Sequence, residues 1–153
     1  MTVQIKRCTV DEFEHSIGFR QLLDEYSEES SLEGLPPAAA KLASYKTLEN
    51  SGMFAGYGAF DNDILVGLVT IITPVIPHYG VSVAVTESIF AAKAYRKTGV
   101  GLMLIRTAEQ HARDSGCPAI MISAPVEGPL TEVLPRIKYR ETNRVFMKSF
   151  LNG

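Results

Sequence analysis

At the start of the chain Val3 and Ile5 alternate with polar residues, the two-residue period of a half-buried strand. Thr9 followed by Glu12 has the spacing of a capping box opening a helix. Phe19, Leu22, Leu23 and Tyr26 then recur at i, i+3, i+4 and i+7, one apolar helix face. Ser, Glu, Gly and Pro dominate residues 28–37, which predicts a loop. Pro36 and Pro37 start a second helix through Ala38 to about Glu49, stopped by Asn50-Ser51-Gly52. The β-rich runs 53–60 and 64–73 flank Asp61-Asn62-Asp63, the pattern of an antiparallel hairpin. Residues 74–80, with two prolines, read as a loop leading into a strand over 83–91. A long helical pattern follows, ended by Ser115-Gly116, and residues 118–124 read as a short buried strand. Pro129 starts a short helix that Pro135 cuts off or kinks, and residues 145–150 close the chain as a final strand.

The resulting order, β-α-α-β-β-β-α-β-α-β, is that of a mixed α+β fold. With 153 residues and no repeat, low-complexity tract or internal boundary, residues 1–153 are expected to form one domain. The chain is 46% hydrophobic and 21% charged, as globular proteins are. A net charge of -2 gives no basic field for nucleic acid, so no nucleic-acid partner is expected. No apolar run is long enough to span a membrane, and the first residues enter a strand without a signal-peptide core; a cytoplasmic protein with no membrane partner is the expectation. Cys8 and Cys117 suggest neither a disulfide framework nor, with the three histidines, a metal site; both read as reduced, largely buried thiols.

Candidate chemistry concentrates where the strand ending at Ala91 passes through Lys93-Ala94-Tyr95 into Arg96-Lys97-Thr98-Gly99-Val100-Gly101 and the long helix. Strand, basic glycine loop and helix together make an anion site. A helix N-terminus carries unpaired N–H groups and about half a positive charge, and the glycines let a ligand approach the backbone. A Walker loop needs Lys-Ser/Thr after its second glycine, where Leu102 stands. A dinucleotide fingerprint needs a third glycine, where Leu104 stands. The stretch from Ile89 to Gly101 instead resembles the fourth strand and R-x-x-G-x-G loop of the GNAT superfamily of N-acetyltransferases. The specific match covers roughly residues 87–116, and the element order extends it to most of the chain.

That resemblance implies a central, mostly antiparallel twisted sheet of six to seven strands with flanking helices, and acetyl-CoA as co-substrate with no metal. It implies that Arg96, Lys97, Thr98, Gly99, Val100, Gly101 and Leu102 hold the pyrophosphate. The pantetheine arm would lie along the backbone of Ile89, Phe90 and Ala91, where the fourth strand splays from the fifth. The reaction is direct attack of an amine on the thioester. An alkyl amine of pKa about 10.4 must give up its proton near neutral pH, about 3.4 units and about 4.6 kcal/mol. A general base assists, and Glu87 lies where many members carry a catalytic glutamate.

Two positions depart from the family pattern. Leu134 stands where a tyrosine often protonates the leaving thiolate, with Tyr139, Ser123 and water as substitutes, and Tyr139 also matches a core aromatic position. Glu127 stands where many members carry an asparagine that touches the cofactor. His15 and His111 read as helix-surface residues, and His78 is the one histidine expected near an acceptor cleft. Asp24, Glu25, Glu28, Glu29 and Glu33 border the region that shapes the acceptor site in this family, which would favour a cationic amine. Small amines, antibiotics, peptides and proteins all remain open as acceptors, as does homodimerisation. The rival to a transferase is a non-catalytic module that binds acyl-CoA or makes protein contacts.

Overall fold

The computed structural model describes residues 2–36 and 42–151. Its centre is a five-stranded sheet in the order β1 (Val3–Cys8), β2 (Phe54–Asp61), β3 (Ile64–Ile72), β6 (Ala84–Ala91), β7 (Ile120–Met121). The first four strands are antiparallel to their neighbours, and β7 alone runs parallel to β6. The two short strands β4 (Val75–Ile76) and β5 (Val81–Ser82) form a separate pair. Residues 74–80, predicted as loop, thus contain the first arm of a small hairpin.

Helices cover both faces. Helix α4 (Val100–Asp114) buries Val100, Leu104, Ala108 and Ala112, spaced one turn apart, against Ala59, Val69 and Ile71 of the sheet. On the opposite face, α1 (Val10–Glu14) and α2 (Phe19–Ser30) supply Phe13, Phe19 and Leu22 to a cluster with Phe60, Leu68 and Phe90. Helix α3 (Leu42–Asn50) completes that layer, and α5 (Pro129–Arg136) follows β7. The predicted start of α3, through Ala38, lies outside the described residues.

The capping box forms as predicted: Thr9 accepts from the Glu12 amide, and Glu12 accepts from the Thr9 amide. The predicted first helix nevertheless divides in two. Ile17 bridges to Ile64 and accepts from Leu65 N–H at 2.8 Å, while Gly18 adopts φ 89°, a conformation a helix cannot continue. The predicted hairpin turn is present, with Asn62 left-handed between paired Asp61 and Ile64.

The strand predicted over 118–124 pairs only at Ile120 and Met121. The final strand predicted over 145–150 is absent. Its apolar side chains stay in solvent, Val145 at 87% and Phe146 at 89% exposure, and the run pairs with no strand among the described residues. Strand propensity is mostly a fit to a half-buried pleated surface, which this run does not have.

Gly67 on β3 allows α4 its close approach. A Cβ there would stand 3.1 Å from the Phe90 carbonyl oxygen and 3.2–3.3 Å from Leu104 and Val100 side-chain carbons. Gly67→Val should therefore destabilise the fold by about 1–3 kcal/mol, read from urea unfolding midpoints.

Candidate active site

Strand β6 carries the site because it is irregular. Thr70 pairs with Ser88 and Ile71 with Thr86, which leaves Glu87 as an extra residue, a β-bulge. Thr86 shares a face with Ile71, toward α4, whereas Glu87 and Ser88 both reach Thr70 on the side of α2 and α3. The bulge thereby turns a carboxylate toward the layer of the first helices.

Two hydroxyls bond that carboxylate. Tyr45 of α3 donates to both Glu87 oxygens, at 2.9 and 3.0 Å, and Thr70 Oγ1 donates to Oε2 at 2.8 Å. Thr70 Oγ1 also meets Ser88 Oγ at 2.7 Å and accepts from the Ser88 amide at 3.0 Å. Burial, then the charge of Glu87 and its hydrogen bond, push the Tyr45 hydroxyl far above the usual tyrosine range. Burial and the Glu87 charge act the same way on Tyr26. Both phenols are neutral at physiological pH.

Beside Glu87 a cleft opens between the sheet and α1, α2 and α3. Half-buried Leu23, Tyr26, Leu42 and Tyr45 line its mouth, and buried Phe19, Leu22, Leu68 and Phe90 its walls. Tyr26 packs its edge on Phe90, with ring centroids 5.6 Å apart.

On its other edge β6 meets β7 only at Ala84 and Val85, so among the described residues no strand covers that edge from Thr86 to Ala91. The wedge contains the predicted segment Ile89, Phe90 and Ala91 and runs toward the glycine loop. A 3-10 turn (Lys93–Tyr95) leads into that loop, and Gly99 caps α4 at φ 89°. The first bond into α4 is from Met103 N–H to the Gly99 carbonyl, so the amides of Val100, Gly101 and Leu102 have no acceptor within the helix. No acidic residue occupies its first turn and no side chain caps it. A Cβ added at Gly99 or Gly101 would meet no atom within 4 Å, so both glycines face open space.

The loop's side chains behave differently from one another. Arg96 makes a two-pronged pair with Glu29 of α2, donates from Nε to the Ala91 carbonyl at 3.1 Å, and lies 5.1 Å above the Phe90 ring. Its guanidinium holds the Glu29 carboxyl below the usual range. Lys93 donates its amide to Glu25 at 3.0 Å and sets its ammonium 3.6 Å from Glu28. Thr98 bonds the Tyr95 carbonyl, Lys97 is exposed, and Val100 is buried. Two of the acidic residues expected to attract an acceptor, Glu28 and Glu29, thus face loop cations, and Glu25 is taken up by a loop amide.

The other candidates are committed elsewhere. Leu134 is buried, and Tyr139 donates to Glu109 Oε2 of α4 at 2.9 Å, with burial the main reason its hydroxyl is held above the usual range. His111 meets Tyr57 at 2.9 Å, and burial lowers its pKa. His78 is exposed, edge-on to Tyr79. Glu127 is exposed. Cys8 and Cys117 are free, and among the described residues no cluster of His, Cys, Asp or Glu could hold a metal ion. No described helix is long and apolar enough to cross a membrane.

Residues 18–128 match the family model described as acetyltransferase (GNAT) family. A comparison with curated protein sequences finds no match. Among solved structures, a ribosomal-protein-alanine N-acetyltransferase from Brucella melitensis biovar Abortus 2308 is similar at 17% identity and TM-score 0.74, over 97% of this chain and 99% of that one. AAC(6')-Iy, in complex with a CoA-containing bisubstrate analogue, is similar at 20% identity and TM-score 0.73, over 97% of each chain. A transcriptional regulator from Bacillus halodurans C-125 gives 19% identity and TM-score 0.73, over 97% of this chain and 100% of that one. At these identities the likeness is one of fold.

Because the folded chain keeps the Tyr45 proton more tightly than the unfolded chain, this hydroxyl's contribution to stability is complete below about pH 10, the ordinary tyrosine value. It is lost as pH rises from there toward the raised folded value. Tyr45→Phe should accordingly flatten part of the decline in urea midpoint between about pH 9.5 and 11.

Proposed function

The chain belongs to the acetyltransferase (GNAT) family, and on that premise we propose that it moves an acetyl group from acetyl-CoA to a primary amine by direct attack, with Glu87 as proton acceptor. The observation that carries this reading is the Glu87 carboxylate, set by the β6 bulge beside both the open edge of the sheet and the cleft under α2 and α3. A base at the meeting of two access routes suits a reaction between two substrates.

The loop fits the pyrophosphate of coenzyme A. The free amides of Val100, Gly101 and Leu102 converge at a helix N-terminus, and the glycines leave their approach clear. Lys97 is exposed and can add charge, whereas Arg96 would have to leave Glu29 to do so. The uncovered edge of Ile89, Phe90 and Ala91 offers main-chain groups to a pantetheine arm.

Bound acetyl-CoA supplies the thioester: a C–N bond forms as the C–S bond breaks, and the sulfur leaves as thiolate. Glu87 attracts the acceptor's ammonium and takes a proton from it, directly or through one water. Tyr45 and Thr70 hold the carboxylate in place and stabilise its charge. The two free cysteines suit the cytoplasm we propose as its location. One observation favours a second reading, binding of acyl-CoA without transfer: Leu134 occupies the tyrosine's place and Tyr139 is engaged by Glu109. Acceptor-dependent release of free thiol from acetyl-CoA separates the two.

Glu87→Gln keeps size and hydrogen bonding but removes basicity. Its turnover should fall by ~10²–10⁴-fold at neutral pH, with acetyl-CoA affinity by calorimetry unchanged. The deficit should shrink as pH rises and free amine becomes populated; a deficit constant with pH would show that Glu87 only shapes the cleft. Gly101→Val should weaken acetyl-CoA binding at least about tenfold by blocking the approach to the amides.

A further inference from the structure

The family resemblance gives Arg96 to the pyrophosphate, but in the fold this side chain is already engaged on three sides. Its guanidinium donates to both Glu29 oxygens, at 2.9 and 2.5 Å, and its Nε donates to the Ala91 carbonyl at 3.1 Å. The guanidinium carbon also lies 5.1 Å from the centre of the Phe90 ring. A planar fork matched to a carboxylate, with a third donor on main chain and a ring beside it, is a geometry that a point charge cannot replace. The end of β6, the wall of the cleft and the second half of α2 all meet in it.

That half of α2 is held at the surface. The buried side chains of the helix, Phe19 and Leu22, lie in its first turn. Beyond them Leu23 and Tyr26 are half-buried, with the Tyr26 ring edge on Phe90. Glu25 then accepts from the Lys93 amide, while Glu28 and Glu29 face Lys93 and Arg96. Fixing these turns is therefore a task for the residues between Phe90 and Arg96.

Formal charge points the same way. Glu25, Glu28 and Glu29 outnumber Lys93 and Arg96 by one, so this corner carries a net negative charge and does not draw an arriving phosphate. Lys97, one residue further on, is exposed and has no partner among the described residues. Together with the free amides of Val100, Gly101 and Leu102 it supplies what an anion needs.

We propose that Arg96 is a positioning residue and not a phosphate ligand: with Glu29 it forms a clasp that fixes the second half of α2 to the end of β6, and the phosphates of the cofactor are held by the α4 amides and Lys97. The identity of that anion rests on the acetyltransferase reading. Ala91 lies at the end of the open edge, and Phe90 and Tyr26 line the cleft. The clasp thus ties the groove offered to the cofactor to the cleft beside Glu87.

Calorimetry with acetyl-CoA and hydrogen exchange over residues 23–30 read the two halves of the proposal separately. Lys97→Gln should weaken acetyl-CoA binding about three- to tenfold, whereas Arg96→Gln and Glu29→Gln should each change it by less than about twofold. Exchange over residues 23–30 should speed up at least about threefold in both Arg96→Gln and Glu29→Gln, with no further gain in the double variant. Arg96→Lys, which keeps the charge and loses the fork, should exchange nearly as fast. In the wild type, saturating acetyl-CoA should leave this segment exchanging no faster.

An arginine held in reserve for phosphate gives opposite signs. Arg96→Gln then weakens acetyl-CoA binding about tenfold, Glu29→Gln tightens it, and saturating acetyl-CoA speeds exchange over residues 23–30 in the wild type. Any of these overturns the proposal, as does unchanged exchange in folded Arg96→Gln or unchanged acetyl-CoA affinity in Lys97→Gln. If the wild type binds no acetyl-CoA, the acetyltransferase reading falls, and exchange in the variants still upholds or removes the clasp.

Discussion

The short pairing of β6 with β7 is the constraint on which the site depends. Two residues of contact, Ala84 with Ile120 and Val85 with Met121, are enough to order the end of the sheet, and beyond them β6 has a partner on one side only. An uncovered strand edge is ordinarily a liability, because its main-chain groups invite other strands. Here Arg96 caps the carbonyl of Ala91 at the far end, and the bulge at Glu87 breaks the regularity of the edge near its start. What remains between is a segment a few residues long, opening toward the free amides of α4.

The same geometry sorts the charges. Arg96 and Lys93 draw Glu25, Glu28 and Glu29 of α2 against the loop, which fastens the first helical layer to the start of α4. Exposed pairs of this kind contribute little stability singly, but Arg96 adds a two-pronged geometry, a main-chain bond and contact with the Phe90 ring. On the function proposed above, Lys97 is left for an incoming anion and Glu87 for an incoming cation, near the two openings. Complementary guests can thus be held with little competition between their charges.

Much of this was legible in the sequence. Gly99 and Gly101 before a long amphipathic run predicted a helix with bare amides, and that is what α4 presents. The capping box and the two-residue hairpin were legible for the same reason: they are local, set within four residues. The bulge was not, since Ala84, Thr86, Ser88 and Phe90 are all buried and the strand looks regular although its faces exchange at Glu87. Both faces are covered, so periodicity cannot report the exchange. Tyr45 and Thr70 lie 42 and 17 residues from Glu87, and no spacing rule links them. The final strand was misread from composition because Val145, Phe146 and Phe150 have strand-forming side chains, yet the run pairs with no strand among the described residues and stays exposed.

The absent tyrosine acid weighs less than it first appears. A departing thiolate whose conjugate thiol has a pKa near that of cysteine, about 8.5, is a far weaker base than an alkyl amine at about 10.4, so solvent can protonate it after it leaves. On the function proposed above, the proton that must be managed before the chemistry is the one on the acceptor, and Glu87, bonded by two neutral donors at the edge of an apolar cleft, is the group placed to take it. The apolar lining beside that carboxylate penalises charge that lacks a partner. Leu134, on α5, is an apolar side chain that is buried and helps to close the core, which leaves protonation of the thiolate to solvent in the proposed reaction.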